Sequence, residues 1–231
     1  WEAALPTWSP GESVATRQAC AKVLTAIVDQ VPGIVAGGAD LTGNTGTELK
    51  GAPVIATHDF GGRQIHFGVR EHGMGSMMNG MAVSGLLPAG GTFFVFSDYM
   101  RPAVRLAAMS EAKVVYSFTH DSVGVGEDGP THQPIEHLAS LRAMPGLRVL
   151  RPADANETAA AWRVAIGGEV AVALVLSRQD TPVVTTPEQA AGLQQGGYVL
   201  SESEGVDGDP GELDIVLIGT GTEVAVCVEA A

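Results

Sequence analysis

The sequence predicts an α/β fold: a mostly parallel sheet with helices on both faces. Two observations carry that reading. Short apolar runs bounded by glycine alternate with amphipathic stretches along most of the 231 residues, and strands alternating with helices build parallel sheets. The apolar runs are also nearly continuous, as in KVVYSFT and VAVALVLS, which marks strands buried on both faces. Sheets of this kind bind ligands where the carboxyl ends of the strands open into loops.

In chain order, residues 1–12 hold Trp1, Pro6, Trp8, Pro10 and Gly11 and read as a linker with two aromatics to bury. Ser13 is placed to cap a helix running to about Gln30, with Ala19, Val23, Ile27 and Val31 near a 3.6-residue repeat and Pro32-Gly33 ending it. Strands are expected over 34–37, 64–67, 92–97, 113–119, 147–151 and 170–177. Helices are expected over 70–85, 99–110, 134–143 and 153–166. The stretch 181–197, rich in Thr, Pro, Gln and Gly, reads as a linker between a first domain at 13–180 and a second at 198–231. The second domain opens with strands expected over 198–202 and 214–218, joined by an acidic loop. Glu223 then starts a helix that stops mid-pattern, so this unit is expected to be truncated and the chain to be a piece of a longer protein.

Composition excludes several classes. Residues 1–178 carry all 13 Lys and Arg with 16 acids, whereas 179–231 hold 10 acids and no base. The formal charge of −13 leaves no basic footprint for nucleic acid or an anionic membrane. No apolar run approaches the ~18 residues of a membrane span, and the opening WEAALPTWSPGES has no basic or apolar region of a secretory signal. Two distant cysteines, Cys20 and Cys227, make no disulfide framework and fit a reducing cytoplasm.

Chemistry-bearing residues gather in a few stretches. All six histidines lie between His58 and His137, most densely in THDSVGVGEDGPTHQPIEH at 119–137. Before Pro134 this loop holds His120, His132, three acids and three glycines. Polar groups are costly to bury without partners, glycine permits close backbone approach, and histidine moves protons near neutrality. The plain alternative is a loop whose histidines and acids satisfy one another. His132 and His137, and His66 and His72, lack the spacing of a zinc site, and no thiol is near. No metal held by this chain alone is expected. In IHFGVREHGMG at 65–75, Glu71 stands where a strand gives way to a helix. It is either an acid favoured by the helix dipole or, if enclosed by apolar groups, a carboxylic acid that donates to a ligand nitrogen. TFFVFSDYMRP at 92–102 brings Phe93, Phe96 and Tyr99 to a strand end, as core or as a stacking surface for a flat heteroaromatic ring. Arg17, and Arg178 in LSRQ, suit bidentate phosphate binding, although a solvated or ion-paired arginine explains either one alone.

Together these segments resemble transketolase. The matching strings are ATRQA at 15–19, GGADLTGN at 37–44, IHFGVREHGMG at 65–75, GGTFFVFSDYMRPAVRLAA at 90–108, THDSVGVGEDGPTHQPIEHLASLRAMPG at 119–146, RPADANET at 151–158 and LSRQ at 176–179. They cover nearly the whole chain in order, and GEDGPTHQP with LSRQ is specific to transketolase and its nearest relatives. The resemblance implies the thiamine-diphosphate-binding fold: the middle, pyrimidine-binding domain and the opening of the C-terminal domain. It implies thiamine diphosphate with Mg²⁺ or Ca²⁺ as cofactors and sugar phosphates as substrates. It also implies a homodimer whose active site is shared between subunits, and transfer of a two-carbon ketol unit from a ketose phosphate to an aldose phosphate. Glu71 matches the glutamate that hydrogen-bonds the aminopyrimidine N1′, helping the 4′-amino group to deprotonate the thiazolium C2. Phe93, Phe96 and Tyr99 match the aromatic pocket around the pyrimidine, and Asp40 an aspartate near the cofactor at the dimer interface. His120 and His132 match substrate-facing histidines, Asp128 the aspartate that reads a ketose hydroxyl, and Arg17 and Arg178 the arginines that grip the sugar phosphate.

Two departures qualify the match. Asn44 stands where the family usually has a phosphate-binding serine. The Gly-Asp-Gly segment that holds the metal in thiamine enzymes is absent, the nearest strings being EDG at 127–129 and VDGDPG at 206–211. The family places that segment in a preceding domain, so this chain is expected to hold half a site and to be inactive alone. Rival readings are a dihydroxyacetone synthase or deoxyxylulose-phosphate synthase, a non-catalytic binding or dimerisation module, and a metal hydrolase on the histidine-rich loop, which ligand spacing disfavours.

Overall fold

The computed structural model describes residues 1–202 and 215–231; Asp214 and the string at 206–211 lie outside them. In chain order the elements begin with β1 (Ser13–Val14), α1 (Thr16–Ile27), β2 (Ile34–Gly38), β3 (Gln64–His66), α2 (Glu71–Val83), β4 (Leu87–Phe93) and α3 (Ser97–Met109). They continue with β5 (Val115–Thr119), α4 (His137–Arg142), β6 (Leu147–Leu150), α5 (Ala155–Gly167), β7 (Ala171–Leu176), β8 (Thr181–Pro182), α6 (Pro187–Ala190) and α7 (Glu223–Ala230).

Six strands form one sheet in the order β3-β2-β4-β5-β7-β6, every pairing parallel. Helices cover both faces. On one side Leu24 and Ile27 of α1 and Trp162 of α5 meet Val172, Leu174 and Leu176 of β7. On the other, Met74 and Met78 of α2, Met100 of α3 and Leu141 of α4 meet Ala171, Ala173 and Val175 of the same strand. That double burial explains why AVALVL is apolar at every position. Gly90 of β4 lets α2 rest on bare backbone, since a Cβ there would stand 2.2 Å from Met78 Sδ.

Three expectations are corrected. The strand expected over 92–97 lies earlier, at β4, and Phe94–Phe96 form a 3-10 turn that leads into α3. LPAGG has poor strand propensity, but between β2 and β5 it receives ladder partners on both sides. Ser13 does not cap a helix: it pairs with Pro182 in the β1–β8 ribbon, and α1 begins at Thr16 without a side-chain cap of its own. Its free N-terminal amides find partners beyond β7 instead. Thr16 N–H donates to Ser177 Oγ at 3.0 Å, and Ala15 N–H to Asp180 Oδ1 at 3.1 Å. Third, residues 198–202 and 215–218 adopt no strand. A strand needs a ladder partner, and the described residues provide none there, leaving Ile218 89% exposed.

The segments read as linkers lie against the body. Trp8 is buried and exchanges hydrogen bonds with the Asn156 side chain. Asp154, fully buried, caps α5 through Glu157 N–H and also accepts from Val184 N–H, Thr185 N–H and Thr185 Oγ1.

Candidate active site

The strand ends and loops at the carboxyl edge of the sheet, with the first turns of α1, α2 and α3, carry the candidate side chains named from the sequence. β3 ends at His66, and Gly68 then turns the chain at φ +68, a left-handed conformation suited to glycine. The turn delivers Glu71 to the first residue of α2. Its side chain is enclosed, the residue being 8% exposed. Among the described residues its only side-chain hydrogen bond is a long one, 3.5 Å from Thr92 Oγ1 on β4.

One residue further on, Phe93 begins an aromatic wall. Phe93 and Phe96 are nearly parallel, 9° between planes with centroids 6.0 Å apart, and Phe96 leads to Tyr99 at 6.0 Å. Tyr99 is largely exposed. His120, the first residue after β5, stacks on Phe93 with centroids 3.6 Å apart, and His132 meets Phe96 edge-on at 5.2 Å. These five residues come from two strings, 92–102 and 119–137; the fold joins them into one surface.

His120 is buried and sits at φ +61, a region sparsely used by non-glycine residues. Its Nδ1 shares a hydrogen bond of 3.0 Å with Thr119 Oγ1. Burial, then the positive charge of Arg17, pushes its pKa down to about 4, with Asp128 opposing and Arg178 and His132 adding to the shift. The ring is therefore neutral at physiological pH and offers one donor and one acceptor. Folded His120 binds fewer protons than the unfolded chain between the ordinary 6.5 and about 4. It thus costs stability as pH falls through that window and costs nothing above it. A histidine-resolved NMR titration should find His120 neutral down to about pH 4; titration near 6.5 would show the site to be open to water.

Arg17 reaches the site because the loop beyond β7 caps α1. Its Nε donates to Arg178 O at 3.2 Å and its Nη1 to Asn44 O at 3.3 Å, which gathers Arg17, Arg178 and Asn44. Burial and the adjacent Arg178 push Arg17 below its ordinary range, Asp180 opposing. The charge of Arg178 acts on Arg17, and two such cations in one cluster suit an anion. Asn44 contributes its backbone carbonyl to this cluster. Asp128 is exposed on the loop after β5, near enough for its charge to act on His120. Asp40 is exposed at φ +64 just past β2, and among the described residues no side-chain hydrogen bond ties it to the aromatic wall.

Residues 12–184 match the family described as transketolase, pyrimidine binding domain. The chain belongs to the transketolase family. It is 51% identical, along its whole length, to a transketolase of Geobacillus stearothermophilus, of which it spans 34%. The crystal structure of a Pichia stipitis transketolase in complex with sedoheptulose-7-phosphate covers the whole chain at TM-score 0.92 and 43% identity, the match taking in 34% of that protein. A split-gene transketolase, described as an inactive beta4 tetramer, matches 76% of this chain and 55% of its own at TM-score 0.63 and 29% identity. The chain thus spans about a third of the length of the curated relatives it matches.

In this member of the transketolase family, two charged clusters escaped sequence reasoning. Asp98, Glu136 and His137 bring ligand-type atoms within 4.8 Å of one another. Both acids are exposed, and the contact that counts is His137 Nε2 to Asp98 Oδ2 at 3.1 Å, tying the starts of α3 and α4. The other cluster joins Asp121, Arg151 and Glu223. Spacing along the chain conceals both, since the partners come from segments far apart in sequence; an arginine at an expected strand end is the one available signal.

Proposed function

We propose that the full-length protein is a transketolase, moving a two-carbon ketol unit between sugar phosphates, and that this chain supplies the pyrimidine-binding half of its site. The observation that carries the reading is the meeting, at one sheet edge, of an enclosed and under-partnered carboxyl group, a flat aromatic wall and a pair of arginines. Glu71 and Phe93, Phe96 and Tyr99 fit an aminopyrimidine: a carboxyl group with one long hydrogen bond has capacity left for a ring nitrogen, and parallel phenyl faces suit a heteroaromatic ring. Thiamine diphosphate would supply a nucleophilic carbon and an electron sink for breaking a carbon–carbon bond.

The chain's own residues do the rest. Glu71 would hydrogen-bond the pyrimidine nitrogen. Neutral His120, with His132, binds sugar hydroxyls and passes protons among them, and Asp128 accepts from a hydroxyl. Arg17 and Arg178 hold the phosphate, with Asn44 beside them in place of serine. Asp40 belongs near the cofactor at an interface between two copies of the protein. Mg²⁺ or Ca²⁺ would be bound outside this chain, and a cytoplasmic homodimer completes the reading.

In the full-length protein, Arg17→Ala and Arg178→Ala should each raise KM for a ketose phosphate by about tenfold to a hundredfold, since a charge-assisted hydrogen bond contributes ~1.5–3 kcal/mol, while KM for an unphosphorylated ketose stays unchanged. Equal effects on both substrates would remove the arginines from phosphate recognition. The module reading draws on the split-gene relative described as inactive. On either reading, thiamine diphosphate and Mg²⁺ titrated into the isolated chain should bind weakly or not at all.

A further inference from the structure

The cluster behind His120 has no part in the roles above. Asp121 follows His120 directly, and Arg151 is the first residue after β6. Their side chains are 1% and 8% exposed. Arg151 grips one carboxylate oxygen of Asp121 twice, Nε donating at 2.9 Å and Nη2 lying at 2.8 Å. The same guanidinium donates to Thr220 O at 2.9 Å and to Glu223, Nη2 to Oε1 at 3.1 Å. Its backbone carbonyl accepts from Gly221 N–H at 3.1 Å. One buried arginine therefore joins the loop carrying His120 to the turn that leads into α7.

Such a pair is not a surface decoration. Separating it leaves a buried charge without a partner, which is strongly destabilising. With β5 held in the sheet, His120 would relax from φ +61 by turning about its own N–Cα bond, which carries its ring and the peptide to Asp121 with it. That turn would swing the Asp121 carboxylate out of the guanidinium fork. We propose that Arg151 is a positioning residue: by gripping Asp121 it keeps His120 in its left-handed conformation with the ring against Phe93, and by gripping Thr220 and Glu223 it makes that placement depend on the docking of the segment before α7. Its effect on turnover rests on reading His120 as a substrate-facing group; its effect on His120 itself does not.

The test uses the full-length protein with labelled histidine. In Arg151→Met and in Asp121→Asn, the His120 ring is expected to titrate at least about one pH unit above its wild-type value near 4, as the ring loses its enclosure. Turnover should fall by about tenfold to a hundredfold in each, the scale of a small misplacement in a catalytic site, with a smaller change in KM. The double variant should lose little more than either single one, because both cut the same link. Glu223→Gln, which weakens only the outer arm, should shift the titration in the same direction by less. If Arg151→Met fails to fold, Asp121→Asn keeps the side-chain volume and carries the same measurement. A folded variant whose His120 titrates as in the wild type overturns the proposal. A moved titration with unchanged turnover sustains it and instead removes His120 from the chemistry.

Discussion

Replacing Glu71 by glutamine in the full-length protein should lower turnover by about a thousandfold, within the ~10²–10⁴ range that a positioned acid–base group contributes. The fold should survive. Glutamine keeps the volume of the side chain, and the contact at stake is a single hydrogen bond of 3.5 Å from Thr92. Because that bond is long, little of the native packing depends on the carboxyl group, so its enclosure is better explained by a ligand than by stability. Steady-state kinetics with saturating thiamine diphosphate, beside an unfolding midpoint, separates the two. Wild-type-like turnover would end the assignment of Glu71 and, with it, the proposed place of the pyrimidine.

Asp154→Ala should be the most destabilising single change outside the hydrophobic core. Its carboxylate, fully buried, accepts from Glu157 N–H at 2.9 Å, Val184 N–H at 2.9 Å, and Thr185 N–H and Oγ1 at 2.8 Å each. Alanine strands all of these donors. Each buried orphan costs ~1–3 kcal/mol, and loss of the α5 cap alone costs ~1 kcal/mol. A total of about 4 kcal/mol is expected, a large share of the ~5–15 kcal/mol that holds a domain together. Urea unfolding of the full-length protein followed by circular dichroism measures it. Asp154→Asn, which keeps one acceptor oxygen, should lose less. Equal midpoints for Asp154→Ala and the wild type would mean that the segment 181–190 is anchored elsewhere, with the buried Val183 and Ala190 as the next candidates.

Much of the framework is legible in the sequence. Five of the six expected core strands fall within a residue or two of those observed, because a strand buried on both faces must be apolar at every position whatever its neighbours are. β4 was displaced because its glycines and proline have no intrinsic preference for a strand, and only flanking ladders make one. The same limit explains the apolar run at 215–218, which looks like a strand and forms none, the described residues offering it no ladder partner. In the site, strings such as THDSVGVGEDGPTHQP announced themselves by composition. What they left unseen was that His120 stacks on Phe93, or that Arg17 reaches the backbone carbonyl of Arg178.

The sequence by itself determined the class of fold, the order of its elements, the family, and the short list of groups able to do chemistry. These are readable because periodicity and motif are local along the chain. Only the tertiary structure decided which of those groups meet, how α1 is capped from the loop beyond β7, and that Arg151 stands between His120's loop and the turn before α7. Hydrogen bonds and ion pairs of that kind join residues far apart in sequence, and their strength comes from burial, which no single segment contains.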